Sequence, residues 1–429
     1  VSTTDPDPTE TPGSPTERGG LAGTPGPPMA QRSCPAETPA FPMARSCPLA
    51  PPDAYARMRA AAPVVRAALP NGAPVWAVTR HAEARQLLSD PRISSATGRP
   101  ERPRGPDDDR PDDGFFVDLD PPEHTRFRRV LIPELGVRPM NALRPAIQRI
   151  AAAAIDELVA AGPPADLVAG YARRVPARVL CEVFGVPPAD HGFFESRLRM
   201  LSVTSMDPSV AAGASRDVRG YLRELIRDAE REPRHGIIRR LAARHLPTGE
   251  LTADELVNMG FLMLLAGYDS PANTISLGVL TLLRHPEQLA ALHADPGLLP
   301  GAVEELLRFH SVQDWVSFDR VATADLEVGT TRIRAGDRLT VLAASANRDE
   351  RAFEHPDTFD IRRSAHHHLA FGHGVHQCVG ANLARAELRV ALGTLVTRLP
   401  ELRLAVGFEE VPFAHDAPFF GPHAVPVTW

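Results

Sequence analysis

The sequence predicts a mainly α fold with a minor β region. Three observations carry that expectation. Between residues 140 and 309, apolar residues recur with the helical period of about 3.6 in block after block, and Pro or Gly separates the blocks. The runs that read as strands are short and sit beside turn signals such as Pro70-Asn71-Gly72 and Ala335-Gly336-Asp337. Near the C-terminus, a glycine-rich loop around Cys378 leads straight into another helical pattern.

Length and composition set the bounds. The 429 residues suffice for one large domain or two ordinary ones. A formal net charge of −6 gives no sign of nucleic-acid binding, and every one of the 47 basic residues is Arg. Cys34, Cys47, Cys181 and Cys378 are too few and too scattered for a disulfide framework, and no C-x-x-C pair suggests zinc. The longest apolar runs, such as Met259 to Tyr268, fall far short of the roughly 20 residues of a membrane span. The N-terminus shows no charged-then-apolar leader, so a cytoplasmic protein that engages no membrane is expected.

Residues 1–40 are rich in Pro, Thr, Gly and Asp and are expected to form a disordered tail ahead of a domain spanning 41–429. Asp53 to Ala61 and Arg80 to Leu88 read as helices, with Val64 to Ala68 and Val75 to Thr79 as paired strands between them. Ser94 to Gly114 is Pro- and Asp-rich and reads as a long loop. Pro122 opens the next helix, where His124 and Arg128, four apart, share a face and Phe127 points to the core. Met140 to Leu158, Asp166 to Phe184, Asp190 to Leu201 and Val210 to Glu230 are further helices, interrupted at signals such as Gly185-Val186-Pro187-Pro188.

The longest helical pattern runs from Thr252 to about His285, and Thr252 with Glu255 makes a capping box. It contains Ala266-Gly267-Tyr268-Asp269-Ser270-Pro271. A Gly and a Pro inside a helix cost about 1 and 3 kcal/mol, so the pairing predicts a kink with a purpose. Pro286 to Leu292 and Ala302 to Phe309 are helical, the second carrying Glu305 and Arg308 as E-x-x-R. Trp315 to Ala322, Leu326 to Ile333 and Arg338 to Ala344 read as short strands. His366-His367-His368 has no carboxylate or Cys at ligand spacing and reads as a polar turn.

Then comes Phe371-Gly372-His373-Gly374-Val375-His376-Gln377-Cys378-Val379-Gly380. Its glycines let backbone approach a flat ligand closely. The helical pattern after Gly380 places Cys378 at a helix N-terminus, which favours a thiolate. This decapeptide resembles the haem-ligand signature of the cytochromes P450, F-G-x-G-x-H-x-C-x-G, at every specified position. Glu305-x-x-Arg308, the Ala266-Gly267-x-Asp269 run and the His124/Arg128 helix resemble the family's other motifs, in the family's order. The resemblance covers the chain from about Leu49 to Trp429 and is nearest to soluble actinobacterial members of secondary metabolism and xenobiotic oxidation.

The resemblance implies a single P450-fold domain binding haem b and O2, with the Cys378 thiolate as the iron ligand. Such a ligand pushes electron density onto iron and favours O–O cleavage. It implies propionate contacts from His124, Arg128 and Arg320, and further haem contacts from Phe371, His376, Ala266 and Gly267. Glu305, Arg308 and Arg363 become a structural triad. Asp269 and Ser270 become the catalytic proton path, with Ser270 where the family usually has Thr. Gln313, Asp314, Trp315 and Phe419 become candidates for substrate contact.

The reaction implied is insertion of one oxygen atom of O2 into a C–H bond of a small molecule by a monomer. No flavin or nucleotide fingerprint appears, so electrons are expected from a ferredoxin and its NAD(P)H-dependent reductase. Arg385, Arg389 and Arg126 or Arg129 offer that ferredoxin a positive patch. The unusual Ser270-Pro271 also admits a non-hydroxylating or peroxide-driven oxidation, and a non-catalytic haem protein is the third alternative.

Overall fold

The computed structural model describes residues 38–96, 115–202, 207–231, 236–315, 319–414 and 419–429. Residues 1–37, most of the Ser94–Gly114 loop, Ser317 and Pro418 fall outside the described residues. From residue 38 onward the chain forms one compact unit. Ala40 already bridges to Ala68, and Phe41 is buried against Trp315.

Helix dominates, as the periodicity predicts. The central helix, Ala253–Arg284, is 32 residues long, and Thr252 and Glu255 cap it reciprocally. Its second half is buried on every side because it is surrounded. It packs against the helices Arg174–Phe184, Pro208–Arg227 and Ala381–Arg398. Almost every residue from Pro271 to Leu282 is buried, so burial rather than amphipathicity holds this half in place. The last helix, Ala381–Arg398, lies against Val137–Ala161, and with Leu299–His310 these elements enclose the main core.

The minor β region is a five-stranded sheet in the order Val64–Ala68, Pro74–Val78, Arg338–Val341, Asp319–Ala322 and Ile93–Ser94. Only the Pro74–Val78 to Arg338–Val341 pair is parallel. Leu326–Val328 and Thr331–Ile333 form a separate hairpin, so the single strand expected there bends at Gly329.

One helical expectation needs revision, and one helix was not expected. Asp166 to Phe184 is not one helix. Asp166 pairs with Pro426 in the C-terminal strand, its carboxylate accepts from the N–H groups of Val168 and Val425, and a π-helical turn at Val168–Ala172 precedes the helix Arg174–Phe184. A strand more than 250 residues away thus overrides the local pattern. The helix Gly236–His245 was not read from the sequence. Its Arg239 is buried and donates to the Gly185 carbonyl at 3.0 Å, at the end of Arg174–Phe184 where Gly185 takes φ +71°.

Candidate active site

A cavity of about 480 Å³ lies between the Cys378 loop and the central helix. Phe371, Cys378, Val379 and Gly380 form one wall. Leu262, Leu265, Ala266, Gly267, Ser270 and Pro271 face them from the central helix. Leu180, Val183, Val312 and Phe116 add apolar surface.

The loop is built as its glycines suggest. The Cys378 N–H donates to the Phe371 carbonyl at 2.8 Å, and the helix Ala381–Arg398 starts directly after Gly380. Gly374 has φ +72°, and a Cβ there would lie 2.3 Å from the Leu88 carbonyl oxygen, so only glycine fits. The accessible surface of Cys378 opens into the cavity rather than outward. Burial pushes its thiol up, against the opposing Gly380 N–H and the positive charges of Arg128 and Arg385. A bound cation at the sulfur would reverse that balance.

One end of the cavity is polar and cationic. His124, Arg128, Arg320 and His376 converge there, with the two imidazole rings 3.9 Å apart between centroids. Neither nitrogen of His124 has a hydrogen-bond partner, and neither does Nε2 of His376, although all three atoms are buried. Burial and the neighbouring Arg128 hold His124 down to about 4. Burial, His124 and Arg320 hold His376 down to about 3. Asp118, Asp120 and Asp319 balance part of the Arg320 charge, but the three imidazole nitrogens have no partner, and an arrangement with buried orphan polar atoms is incomplete. The two carboxylates of a haem would complete it through charge-assisted hydrogen bonds. These residues fit that group.

Behind the loop lie two buried acids. Glu305 takes Arg308 in a fork, with Nε at 2.7 Å and Nη2 at 2.8 Å, and Arg363 Nε at 3.1 Å. Both side chains of the Glu305–Arg308 pair are fully buried. Arg308 also donates to the carbonyls of Asn347 and Pro356, which ties the helix to the segment leading to the loop. Sequence reading missed Glu304. Its carboxylate accepts from Arg385 at 2.8 and 2.9 Å, lies 3.5 Å from Arg389, and meets His368 at 3.3 Å. Burial pushes Glu304 up, but His368 and Arg385 pull it down to about 2. A Glu-Glu pair ahead of Leu-Leu-Arg was the available signal. Glu387 was missed as well. It is buried facing the cavity, its Oε1 has no partner, and burial pushes it up to about 8.

The Arg groups offered as a docking patch are all engaged. Arg385 and Arg389 share Glu304, Arg126 pairs with Glu255, and Arg129 pairs with Glu250 at 2.6 Å. Arg129 remains 70% exposed.

On the opposite wall the helix is continuous through Pro271. Gly267 faces the cavity, and a Cβ there would lie 2.9 Å from Leu180 Cδ2. Ser270 Oγ donates to the Ala266 carbonyl at 2.9 Å, and Thr274 Oγ1 donates to the Ser270 carbonyl at 2.7 Å. Such back-bonding turns each hydroxyl into its own helix. Asp269 does not line the cavity. Burial pushes its carboxyl up, while the Ser202 hydroxyl and the Arg173 charge pull the other way.

Among the four residues expected to contact substrate, Gln313 and Phe419 line the cavity and bridge to each other. Asp314 and Trp315 require correction. Alternation along this extended segment turns Asp314 to the opposite side, where the Tyr55 hydroxyl donates to it at 2.6 Å. Trp315 stacks on Phe41 at 4.8 Å. Both belong to the packing of the N-terminal helix and sheet.

The comparisons agree with this geometry. Residues 297–400 match the family model for cytochrome P450. The vitamin D3 dihydroxylase of Streptomyces griseolus is 46% identical over 410 residues, covering 92% of this chain and 97% of that protein. The mycinamicin VIII C21 methyl hydroxylase of Micromonospora griseorubida is 42% identical over 391 residues, 91% of this chain and 99% of its own. The crystal structure of that hydroxylase with mycinamicin VIII bound superimposes with a TM-score of 0.82 over 91% of this chain and 100% of that one. Cytochrome P450 MoxA from Nonomuraea recticatena, 41% identical, gives 0.84 over 91% of this chain and 98% of its own. The relatives are oxidoreductases named as hydroxylases and the fold is theirs, so the chain belongs to the cytochrome P450 family.

Proposed function

We propose that the protein is a haem-thiolate monooxygenase that inserts one oxygen atom of O2 into a C–H bond of an apolar, natural-product-like small molecule. The observation that carries this is the cavity itself. Cys378 stands on one wall, Ala266 and Ser270 stand on the other, and a His/Arg cluster with unpartnered buried imidazole nitrogens closes one end.

Cys378 would be the axial ligand of haem b, and His124, Arg128, Arg320 and His376 would hold its propionates. The bound haem supplies O2 activation and the oxidising equivalent. The remaining work falls to the chain. Ala266 and Gly267 would leave room for the haem, and Phe371, which lies under the Arg385 guanidinium at 4.6 Å from the ring centre, would contact it. Glu305, Arg308 and Arg363 fix the loop from behind. Apolar walls from Leu262, Leu265 and Val312 exclude water and bind substrate. Asp269, whose carboxyl burial pushes up, and Ser270 would pass protons toward the cavity. Ser202, at the end of the helix His191–Ser202, and the Arg173 charge act on the acid.

Electrons would come from a ferredoxin and its NAD(P)H-dependent reductase. No helix among the described residues is long and apolar enough to cross a membrane. The relatives' named substrates, vitamin D3 and a mycinamicin, support a bulky and largely apolar substrate.

Cys378→Ser tests the proposal. The variant should fold yet lose the thiolate-type Soret band of the reduced CO complex. Retention of that band would mean that another residue holds the iron.

A further inference from the structure

Asn273 lies two residues beyond Pro271 on the central helix and is 8% exposed. Its amide does not serve the helix. Nδ2 donates to the Phe419 carbonyl at 3.2 Å, across 146 residues of chain. Gly421 presses on the same side chain. A Cβ added there would sit 2.4 Å from Asn273 Oδ1 and 2.5 Å from its Cγ. Gly421 has no positive φ, so the glycine serves this contact and not a turn.

Phe419 is held from the other side by its antiparallel bridge to Gln313. Phe420, next to it, stacks on Phe413 at 5.7 Å under the Arg45 guanidinium. Among the described residues beyond the last helix, Phe419 alone lines the cavity. Its place therefore depends on two attachments, one to the Gln313 segment and one to the central helix.

We infer that Asn273 is a positioning residue: it ties the Phe419 hairpin to the central helix and so fixes the wall that selects substrates by size. This rests on the haem-thiolate reading above. Asn273 acts through Phe419 and has no part in the chemistry. Ligands that reach the iron without touching Phe419 are indifferent to it, and ligands that fill the cavity are not.

The test uses ferric holoprotein titrated with imidazole and with 4-phenylimidazole, followed by the Soret shift. Asn273→Asp keeps the shape but sets a carboxylate oxygen against the Phe419 carbonyl. Gly421→Ala forces Asn273 aside without changing its amide. Each should weaken 4-phenylimidazole roughly fivefold, the size of one lost hydrogen bond, and leave imidazole within about twofold. In a Phe419→Ala background the Asn273→Asp effect should vanish, because coupled residues are not additive. Equal shifts for both ligands, or an undiminished Asn273→Asp effect without the Phe419 ring, overturn the inference. Should Asn273→Asp fail to fold, Gly421→Ala and its pairing with Phe419→Ala give the same decision. A wild-type protein without the thiolate-type CO band would instead overturn the haem reading and this inference with it. An intact band with additive effects overturns this inference alone.

Discussion

Behind the Cys378 loop, Glu304 and Glu305 engage Arg308, Arg363, Arg385, Arg389 and His368 within one largely buried layer. Across the cavity, the central helix presents apolar side chains and hydroxyls that bond back to their own helix. The first wall is fixed by charge and the second by packing. A charged layer is rigid because each group has several partners whose loss would leave a buried ion. The packed wall has no such constraint. Ser270 and Thr274 each donate one hydrogen bond to their own helix, so each hydroxyl can be released at the cost of a single hydrogen bond. Under the proposed function the charged wall would hold the haem loop and the packed wall would meet the substrate.

The comparison breaks most visibly at Glu305. Glu305→Ala strands Arg308 and Arg363 together, and loss of one buried partner costs about 3–5 kcal/mol. Soluble yield, urea midpoint and haem content should all fall. If holoprotein forms normally and only turnover changes, the charged wall is not what holds the loop.

Glu304 sharpens the same contrast through pH. Its folded pKa, about 2, lies below the ordinary value of 4.5. The charged carboxylate therefore contributes stability above about pH 4.5, and that contribution is lost as pH falls toward about 2. Glu304→Gln should lower the urea midpoint near neutrality, and the gap to wild type should close over that window. A gap that stays constant from about pH 5 to 2.5 would show that Glu304 is not ionised in the fold. The effect should be smaller than at Glu305, because Arg385 and Arg389 are partly exposed and screened by water.

The two walls also differed in how far the sequence disclosed them. Glu305, Arg308 and Cys378 stand at fixed spacings within motifs, and their local geometry follows from those spacings. Gly374 is required by the approach of the Leu88 carbonyl, which a glycine-rich loop announces. Glu304 went unread because the Glu-Glu pair shows a second acid but not its partners Arg385, Arg389 and His368, which lie more than 60 residues away. Asp314 and Trp315 were misplaced because only tertiary pairing decides which side of an extended segment meets the cavity. The break at Asp166 and the Asn273–Phe419 bond have the same origin in contacts between distant segments. Helix periodicity located the elements, and long-range contacts decided which side chains they present.

The smallest expected effect concerns Ser270, which tests the packed wall directly. Its hydroxyl donates to the Ala266 carbonyl, so turning it into the cavity breaks one neutral hydrogen bond, worth about 1 kcal/mol. Pro271 carries no N–H, which leaves the Gly267 carbonyl without its helical donor and available to a water. Ser270 lacks the γ-methyl that would fix its rotamer, so the hydroxyl can exchange between its helix and the cavity. Ser270→Ala should then change stability by no more than about 1 kcal/mol while raising, a few-fold, the share of NAD(P)H lost as peroxide. Ser270→Thr should lower that share below wild type by restricting the rotamer. Measuring peroxide and product per NAD(P)H for the three proteins decides the matter. If leakage is the same in all three, the proton reaches the cavity through substrate or water, and Ser270 belongs to the packing like the residues around it.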